Sequence, residues 1–328
     1  MALRAEFINR HIAQWEDWCR QRHAYPHRVR WPSRLFHHSP IENAVAILAS
    51  GVLRSRADPQ NNRPRDIAGA GVIEAREDAH NVVRFYFRPR TPTQFHVGGI
   101  RRPGECQYGD AAHAAVLVML IFQARAILSD PAVGFTDRNA QQGAAVYGTE
   151  EVQFAAIPFD KVYHEGGIAG DHSITSHRCA EVHAASPISL ADTLEAVCCR
   201  SNAEREMLLF MLGNDARKWA DKILVSDDLR VFQRDFAFVQ DVSLSREGLI
   251  FKLNPRRSGG TVDVSIDLFD QTGRKLIDFR NTELQPVPPT ADRWRVAADL
   301  ADGTYEAKIE IDGHLAYNNL LTLGDSLF

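Results

Sequence analysis

The chain has 328 residues, of which 45% are hydrophobic and 24% are charged, and its formal net charge at pH 7 is −4. This composition is typical of a globular protein with enough apolar residues for two hydrophobic cores. It excludes a membrane-spanning protein, because no segment approaches the roughly 18 uninterrupted apolar residues of a transmembrane helix.

The N-terminal segment and the cysteines indicate the compartment. Arg4, Glu6, Arg10 and His11 interrupt any apolar stretch, so this segment does not have the layout of a signal peptide. The five cysteines are scattered, without the spacing of a disulfide framework or a zinc site. We therefore expect a cytoplasmic protein that makes no contact with a membrane.

Residues 28–102 are unusually rich in arginine. This stretch holds thirteen arginines, no lysine and six acidic residues, which gives it a net charge of +7. One interpretation is an ordinary solvated surface. The other is a binding surface for a nucleic acid or a dinucleotide, because a guanidinium pairs with phosphate through two parallel hydrogen bonds.

The first part of the chain predicts helices and strands in alternation. Residues 6–23 are expected to form an amphipathic helix, and residues 35–37 a short strand. A second helix is expected to begin after Pro40 and to end at Gly51. Residues 55–80 are polar and lack periodicity, so they predict a long loop, with a short helix near Ala68 as an alternative.

Further along, three apolar runs predict strands and one segment predicts a capped helix. The strands are expected at residues 82–87, 116–122 and 180–185, the second of them buried at the centre of a sheet. A helix is expected over residues 201–212, with Ser201 as its N-cap and Glu204 as the reciprocal partner in a capping box. It either continues or restarts at about residues 219–223.

From about residue 235 the pattern changes to short strands. Seven runs of strand length follow one another, several with alternating apolar and polar residues, and Asp312-Gly313 between two of them is a strong hairpin signal. These runs predict a β-sandwich of immunoglobulin-like or fibronectin-like type. We expect two domains, a catalytic domain over residues 1–230 and the all-β sandwich over residues 235–328.

The segment from Arg84 to Pro92 has the residue types that bind phosphates and flat rings. Three consecutive aromatic residues lead into Arg-Pro-Arg, which places guanidinium groups on a stiff corner beside apolar surface. Because side chains alternate along a strand, at most two of the three aromatic rings share a face. Taken singly, Arg90, His37 and Glu181 each also fit an ordinary structural role.

Four short motifs occur together in one order: Phe36-His37-x-Ser39-x-Ile41-x-Asn43, Phe85-Tyr86-Phe87-x-Pro89-Arg90-x-Pro92, Phe135-Thr136-Asp137-x-Asn139-Ala140 and Cys179-Ala180-Glu181-Val182. With these motifs, residues 30–225 resemble the DarT family of nucleic-acid ADP-ribosyltransferase toxins. The second and fourth are the most specific. In the second motif, Arg88 stands where the family pattern has a small polar residue such as Asn.

The resemblance implies a fold, a reaction and partners. The fold would be an α+β ADP-ribosyltransferase-type domain with mixed central β-sheets and helices, followed by the sandwich. The reaction would move ADP-ribose from NAD, the co-substrate, to a thymine or guanine base of single-stranded DNA, and no metal would be required. Such a toxin would act in a toxin–antitoxin or phage-defence system, with an antitoxin protein as partner. The sandwich lies outside the resemblance and carries no chemical signature, so it could bind a protein partner or serve as a stability or spacing module.

The resemblance also implies roles for individual residues. The catalytic residues would be Glu181 and Arg90. The residues that bind the cofactor would be His37, Ser39, Asn43, Tyr86 and Arg90. The residues that bind the substrate would be Arg88, Phe87, Thr136, Asp137, Arg138, Asn139, Tyr147 and Arg178.

Physical chemistry supports the role of the glutamate, and alternatives stay open for the acceptor. Breaking the bond between ribose and nicotinamide builds positive charge on the ribose, which a nearby carboxylate stabilises. The acceptor could instead be RNA or a protein, and a third alternative is a non-catalytic nucleic-acid-binding module. The chain has no glycine-rich dinucleotide loop and no metalloprotease or hydrolase motif. Two irregular clusters have metal-ligand residue types: Asp110 with His113, and His164 with Asp171 and His172.

Overall fold

The structure is a computed structural model that describes residues 3–67, 80–102, 104–226 and 228–324. The chain divides into two compact units. The first consists of Met1–His96, Val118–Cys198 and Ser226–Phe232, and the second of Val97–Leu117, Cys199–Val225 and Gln233–Phe328. The second unit thus includes two segments, 97–117 and 199–225, that precede the C-terminal strands in the sequence.

The first unit combines short helices with a large sheet. Its helices are α1 (Ala5–Arg20), α2 (Ile41–Ser50), α3 (Pro92–Val97), α4 (Ala124–Leu128), α5 (Glu151–Ala155), α6 (Phe159–Val162), α7 (Ser173–His177) and α8 (Leu190–Thr193), and Pro26–Arg30 forms a 3₁₀ helix. Its strands are β1 (Arg34–Pro40), β2 (Val52–Leu53), β3 (Val82–Tyr86), β4 (Leu117–Gln123), β5 (Gly134–Thr136), β6 (Tyr147–Gly148), β7 (Glu181–Ala185), β8 (Ile188–Ser189) and β9 (Leu194–Cys199).

The sheet places β3 and β7 side by side near its middle. Within this unit the strands follow the order β9-β4-β1-β3-β7-β5-β6, and β2 pairs separately with β8. The pairs β1–β3, β3–β7, β5–β7 and β5–β6 are antiparallel. Six of the seven residues of β4 are buried, which confirms the prediction of a buried central strand. The α+β class predicted from the sequence is confirmed.

Local sequence signals explain where the first helices lie. α1 occupies the segment predicted to be amphipathic, and α2 begins directly after Pro40. Gly51 ends α2 in the left-handed conformation (φ +72°), which glycine adopts without steric cost. Residues 55–67 of the predicted long loop contain no helix or strand, and the short helix expected near Ala68 falls outside the described residues.

The aromatic strand alternates between a core face and the opposite face. The Phe85 ring packs edge-on against Phe122, with centroids 4.9 Å apart, and the Phe87 ring packs against Phe159 at 5.1 Å. Both phenylalanines are almost completely buried. Tyr86 lies between them in the strand and therefore points to the other face of the sheet.

The second unit is built from antiparallel strands. Its helices are α9 (Asn202–Leu212) and α10 (Ala216–Trp219), with 3₁₀ turns at Asp110–Ala112 and Gly213–Asp215. Its strands are β10 (Ile223–Val225), β11 (Phe238–Ser245), β12 (Gly248–Asn254), β13 (Val262–Phe269), β14 (Lys275–Leu284), β15 (Trp294–Ala297), β16 (Gly303–Ile311) and β17 (His314–Leu323). Strands β11 to β17 form two sheets, ordered β11-β12-β15 and β14-β13-β16-β17.

The seven C-terminal strands coincide with the seven runs predicted from the sequence. The hairpin signal is also confirmed, because β16 and β17 are joined by the two residues Asp312 and Gly313. Both have positive φ, at +49° and +77°, as a type I′ turn requires. The alternating residues Val264, Ile266 and Leu268 are all buried, as a one-sided sheet requires.

The N-cap of α9 is confirmed, but the reciprocal half of its capping box is not formed. The Ser201 hydroxyl accepts a hydrogen bond from the Glu204 backbone N–H at 3.2 Å. The Glu204 carboxylate instead accepts from the Arg200 backbone N–H at 3.0 Å and pairs with the Arg200 guanidinium. The nearby buried cation draws the carboxylate away from the N-cap residue.

None of the helices in the described residues is both long and apolar enough to cross a membrane.

Candidate active site

Glu181 is the first residue of β7 and lies between two partner strands. It is paired with Tyr86 on β3 and with Thr136 on β5. Two residues further along β7, His183 is paired with Arg84 on one side and with Gly134 on the other. Residues paired across antiparallel strands, and residues two apart in a strand, share a face. The register therefore gathers these side chains on one face of the sheet, opposite to the Phe85 and Phe87 rings.

The carboxylate of Glu181 is fully buried, and its two oxygens have different surroundings. Oε2 lies 3.0 Å from His183 Nε2 and 4.0 Å from a terminal guanidinium nitrogen of Arg84. Oε1 has no hydrogen-bond partner among the described residues. A buried polar atom without a partner is rare and costly in a native protein, so Oε1 marks a position where a ligand atom would bind.

The ring of His37 on β1 is held in the tautomer whose Nε2 can accept a hydrogen bond. Its Nδ1 lies 2.9 Å from the carbonyl oxygen of Arg84, which can only accept, so Nδ1 carries the proton. Burial lowers the pKa of His37, with a further lowering from the charge of Arg84, so the ring is neutral near pH 7. Its Nε2 is therefore a lone-pair acceptor. The ring meets Phe85 edge-on at 6.2 Å, and Arg84 connects His37 to Glu181.

Tyr86 and its neighbour His38 form a stacked pair beside Glu181. Their rings are 5.5 Å apart and nearly parallel, with an interplanar angle of 8°. Burial raises the pKa of Tyr86, and the charge of Glu181 raises it further, so the hydroxyl stays protonated. Burial also lowers the pKa of His38 to about 3. Of these two neutral rings, Tyr86 is the one paired with Glu181 across β3 and β7.

Two further predicted cofactor residues, Ser39 and Asn43, lie at the end of β1 and in the first turn of α2. Ser39 is buried near the end of β1. Asn43 uses its side-chain amide to hold the following loop, since its Nδ2 donates to the Arg65 carbonyl at 2.6 Å and its Oδ1 accepts from the Arg65 N–H at 2.9 Å. The structure therefore places Asn43 in the framework of this loop.

Arg88 and Arg90 lie on the loop after β3, and both pair with one carboxylate, that of Glu165. Glu165 forms ion pairs with both guanidinium groups, and His27 lies 3.9 Å from the same carboxylate. Burial acts to raise the pKa of Glu165, but the interaction with His27 and the charges of the two arginines outweigh it and lower the pKa to about 2. Trp31 covers both guanidinium groups, at 4.9 Å and 5.9 Å.

The two arginines differ in accessibility. The side chain of Arg88 is 2% exposed and also donates to the backbone carbonyls of Val162 and His164, so the structure places it in the interior. The Arg90 side chain is 16% exposed and stands on a left-handed residue (φ +55°), whose N–H donates to Gln94 Oε1 at 2.7 Å. Phe87 is likewise in the core. Of the three side chains, Arg90 is the most exposed.

Arg178 belongs to the same end of the sheet. The residue precedes β7 by three positions, and its guanidinium donates to His164 Nδ1 and to the Gly166 carbonyl, both at 2.8 Å. The charges of Arg88 and Arg178 lower the pKa of His164, after burial as the larger cause. Three guanidinium groups around the single carboxylate of Glu165 leave an excess of positive charge.

The predicted substrate loop after β5 is held by its own side chains. The Thr136 hydroxyl donates to the Arg138 carbonyl at 2.6 Å, and Asp137 accepts from the Arg138 guanidinium at 2.8 Å and from the Val146 N–H at 2.9 Å. Asn139 accepts from the Gln141 N–H at 2.9 Å. These bonds close a tight loop that returns to the sheet at β6.

Tyr147 is the exposed aromatic residue of this face. Its side chain is 54% exposed, although it sits on β6 opposite the buried Thr136. The ring lies over Gly134, where an added Cβ would come within 2.7 Å of Tyr147 Cε2. It also lies 6.0 Å from the ring of His183. A row of side chains thus leads from the exposed Tyr147 through His183 to the buried Glu181.

Four functional candidates were missed by the sequence analysis: Arg84, Gly134, Glu165 and His183. Arg84 and His183 lie two residues from Tyr86 and Glu181, so strand alternation could have placed them on the same face. No local signal connects Glu165 to Arg88 and Arg90, because 75 residues or more separate them. Gly134 becomes significant only because the ring of Tyr147 lies over it.

The arginine-rich stretch is partly neutralised by acidic partners within the first unit. Arg34 pairs with Glu195, Arg54 with Asp58, and Arg56 with Asp66. These ion pairs reduce the charge that remains for phosphate groups. The use of this stretch as a binding surface stays a prediction.

The two candidate metal clusters have other partners. His113 is bonded to the Gly99 carbonyl, His164 accepts from Arg178, and Asp171 pairs with Lys161 at 2.9 Å. Within the described part of the chain, no group of three or more His, Cys, Asp or Glu side chains is placed to hold a metal ion.

Comparison with known proteins covers more than half of the chain. The family model described as "ssDNA thymidine ADP-ribosyltransferase, DarT" matches residues 36–227. Among curated proteins, none matches this chain. Solved structures that resemble it include Thermus sp. 2.9 DarT in complex with ADP-ribosylated ssDNA, with 20% identity and a TM-score of 0.48 over 60% of this chain and 96% of that one.

Two further structures resemble the chain to a similar degree. Thermus sp. 2.9 DarT in complex with NAD+ has 18% identity and a TM-score of 0.46, over 60% of this chain and 97% of that one. Thermosipho africanus DarTG in complex with ADP-ribose has 12% identity and a TM-score of 0.45, over 67% of this chain and 55% of that one. The resemblance inferred from the four motifs is confirmed by the family match: the chain belongs to the DarT family of single-stranded-DNA thymidine ADP-ribosyltransferases.

Proposed function

We propose that this chain transfers ADP-ribose from NAD to the thymine base of single-stranded DNA, with Glu181 as the catalytic carboxylate. The observation that carries the proposal is the environment of Glu181. Its carboxylate is fully buried, one oxygen is held by His183 and faces Arg84, and the other oxygen has no partner among the described residues. Within the family pattern this residue stands in the position of the catalytic glutamate.

The reaction places two demands on this carboxylate. The bond between ribose C1′ and the nicotinamide nitrogen breaks, and its electron pair leaves with the nicotinamide, so positive charge develops on the ribose. A carboxylate that is already oriented and desolvated stabilises this charge strongly. In thymidine N1 is bonded to deoxyribose, so N3 is the ring nitrogen that carries a proton. As N3 bonds to C1′, its proton passes to Glu181, which acts as the general base.

His37 and Arg90 suit the donor. Because His37 is neutral and protonated on Nδ1, its Nε2 can accept a hydrogen bond from a ribose hydroxyl. Arg90 offers a partly exposed guanidinium at the positively charged end of the sheet, where it would pair with the pyrophosphate. We assign both to NAD, with Tyr86 bordering the same site and Ser39 and Asn43 supporting the backbone around it.

Tyr147 suits the acceptor. An exposed aromatic ring on the same face as Glu181 offers a surface on which a base can stack, which is worth about 1–3 kcal/mol per base. The loop closed by Thr136, Asp137, Arg138 and Asn139 fixes the direction from which β6 presents this ring. We place Arg178 on the nucleic-acid side, because its guanidinium adds positive charge near the start of β7.

The test is transfer of label from NAD to defined acceptors. The full chain would be incubated with NAD labelled in its adenylate part and with one of three acceptors: a DNA oligonucleotide with a single thymidine, the same oligonucleotide without thymidine, or the corresponding RNA. We expect label, and a mass increase of one ADP-ribose, only on the first. Label on RNA or on the chain itself instead would overturn the assignment of the acceptor.

The mechanism is tested by Glu181→Gln, which keeps the shape of the side chain and removes its basicity. We expect transfer to fall by about 10²- to 10⁴-fold with an unchanged thermal unfolding temperature. Glu6→Gln is the matched control, because Glu6 is an exposed residue in the first turn of α1. Wild-type transfer by the folded Glu181→Gln protein would refute the catalytic role.

Two further assignments have no contact in the structure behind them. The antitoxin protein that would counter the enzyme rests on the family resemblance alone, and a protein partner for the C-terminal strands rests only on their lack of a chemical signature. Both stay predictions. Co-purification of the full chain with the product of a neighbouring gene would test the first of them.

A further inference from the structure

We propose that His183 is a positioning residue for the reaction, holding Glu181 through Oε2 so that Oε1 alone meets the substrate. The inference rests on the proposed function, because it takes Glu181 as the reacting carboxylate. His183 lies outside the four sequence motifs that identify the family in this chain.

The geometry of the pair carries the proposal. His183 Nε2 lies 3.0 Å from Glu181 Oε2, and both side chains are almost completely buried, with 7% and 0% exposed. The bond joins residues two apart on the same strand, so the β7 backbone fixes the spacing of the two side chains. In a buried site such a bond to a carboxylate is stronger than in water.

The two carboxylate oxygens are thereby given separate tasks. A carboxylate that can rotate freely presents either oxygen to the substrate in many orientations. With Oε2 held by His183 and faced by Arg84, the unpartnered Oε1 is the oxygen that can approach the ribose or the N3 proton. Loss of the bond would let the carboxylate turn, and a displacement of about 1 Å can cost about 10²-fold in rate.

His183 also lies under the proposed base platform. Its ring is 6.0 Å from the ring of Tyr147, tilted by 30°, and Gly134 beside it leaves room for that ring. A thymine base stacked on Tyr147 would therefore lie close to His183, the side chain that orients the catalytic oxygen of Glu181. His183 would position the acceptor thymine and the general base Glu181 relative to each other.

The experiment uses two amides that differ by one methylene group. In His183→Gln the amide nitrogen reaches about as far as Nε2 of histidine, so it can still donate to Oε2. In His183→Asn the amide nitrogen reaches only about as far as Nδ1, so the bond is lost. Both variants keep a polar side chain at the same buried position, and His23→Leu at an exposed position serves as the control for loss of a histidine.

The measurement is steady-state transfer to the thymidine oligonucleotide, with kcat and the KM for NAD determined separately, and with thermal unfolding recorded for each variant. We expect His183→Asn to lower kcat by about 10²-fold with the KM for NAD within twofold of wild type. We expect His183→Gln to recover most of that loss, and His23→Leu to match wild type.

Every other result would overturn the inference. If His183→Asn keeps the wild-type kcat, or if His183→Gln and His183→Asn lower kcat equally, the bond from His183 to Oε2 does not position the carboxylate of Glu181. If kcat is unchanged and the KM for NAD rises, His183 acts in binding the donor. Failure of the proposed function looks different, because then Glu181→Gln itself would retain transfer.

Discussion

The ring of Tyr147 lies where a side chain of residue 134 would stand. A Cβ added to Gly134 would come within 2.7 Å of Tyr147 Cε2 and closer still to the hydroxyl oxygen, so the two positions are mutually exclusive. The glycine is what allows an aromatic ring to lie flat over β5 beside His183. It thereby places the exposed ring on the same face as the buried carboxylate.

Gly134→Ala should therefore displace the Tyr147 ring and weaken binding of the oligonucleotide. Since stacking of one base is worth about 1–3 kcal/mol, we expect the KM for the oligonucleotide to rise by about 10-fold. The KM for NAD should not change, because the residues proposed to bind the donor, His37 and Arg90, lie on β1 and after β3. Kinetics with one substrate varied at a time would measure both constants.

Gly143→Ala is the matched control for this variant. Gly143 lies in the loop after β5, and a Cβ added there meets no atom within 4 Å. Its kinetics should equal those of wild type. If Gly134→Ala also leaves the oligonucleotide KM unchanged while Tyr147→Ala raises it, the ring tolerates displacement and the glycine has no role in seating the base.

Arg88 and Arg90 should have opposite effects when each is replaced by methionine. Arg88 is buried against Glu165 and two backbone carbonyls, so Arg88→Met leaves part of a buried charge network unpaired and should lower the free energy of unfolding by about 3–5 kcal/mol. Arg90 is partly exposed, so Arg90→Met should cost less stability but should raise the KM for NAD.

Urea denaturation and steady-state kinetics on both variants provide the comparison. The assignment of Arg88 to the scaffold would be wrong if Arg88→Met were as stable as wild type and defective in substrate binding. The assignment of Arg90 to NAD would be wrong if its variant bound the donor with wild-type affinity.

Glu165 should make the stability of the protein depend on acid pH. Its pKa is lowered from 4.5 to about 2 in the folded state, so its contribution is complete above about pH 4.5 and is lost as the pH falls towards 2. A shift of this size corresponds to about 3 kcal/mol. The difference in free energy of unfolding between wild type and Glu165→Gln should therefore shrink by about that amount over this range.

Denaturation curves of the two proteins between pH 5 and about pH 2 would measure this difference. The titration of the other carboxylates cancels in it, because both proteins contain them. Glu151→Gln is a useful comparison, because Glu151 forms an exposed ion pair with Arg4 and should show a much smaller pH dependence. A difference that stays constant with pH would mean that Glu165 is not held as a carboxylate by its arginine partners.

The sequence analysis located the seven C-terminal strands, the longer helices and four strands of the first unit, and it named candidates for the site. α2 and its end at Gly51, the buried strand β4, the cap of α9 and the seven C-terminal strands all follow from periodicity and turn residues. The family resemblance led to Glu181, Arg90 and Tyr147 as candidates, and their roles stay predictions. Arg88 and Phe87 were also predicted to bind the substrate, but their side chains face the interior.

Those two positions show why a motif does not tell which of its residues meets a ligand. Alternation along β3 predicts that Phe85 and Phe87 share a face, but not whether that face is the core or the site. The answer depends on Phe122, Phe154 and Phe159, which are distant in the sequence. In the same way, Arg88 is interior only because Glu165 and Trp31 surround it.

The amino-acid sequence by itself determined the family, the longer helices, the C-terminal strands and the candidate acidic residue at the start of β7. These depend on interactions between residues a few positions apart, such as turn conformations, helix caps and hydrophobic periodicity. Only the tertiary structure decided that Glu181 lies between Tyr86 and Thr136, that His183 holds one of its oxygens, and that Glu165 joins Arg88 to Arg90. The physical reason is that strand register and the burial of charge are set by the packing of the whole unit, which no short stretch of sequence encodes.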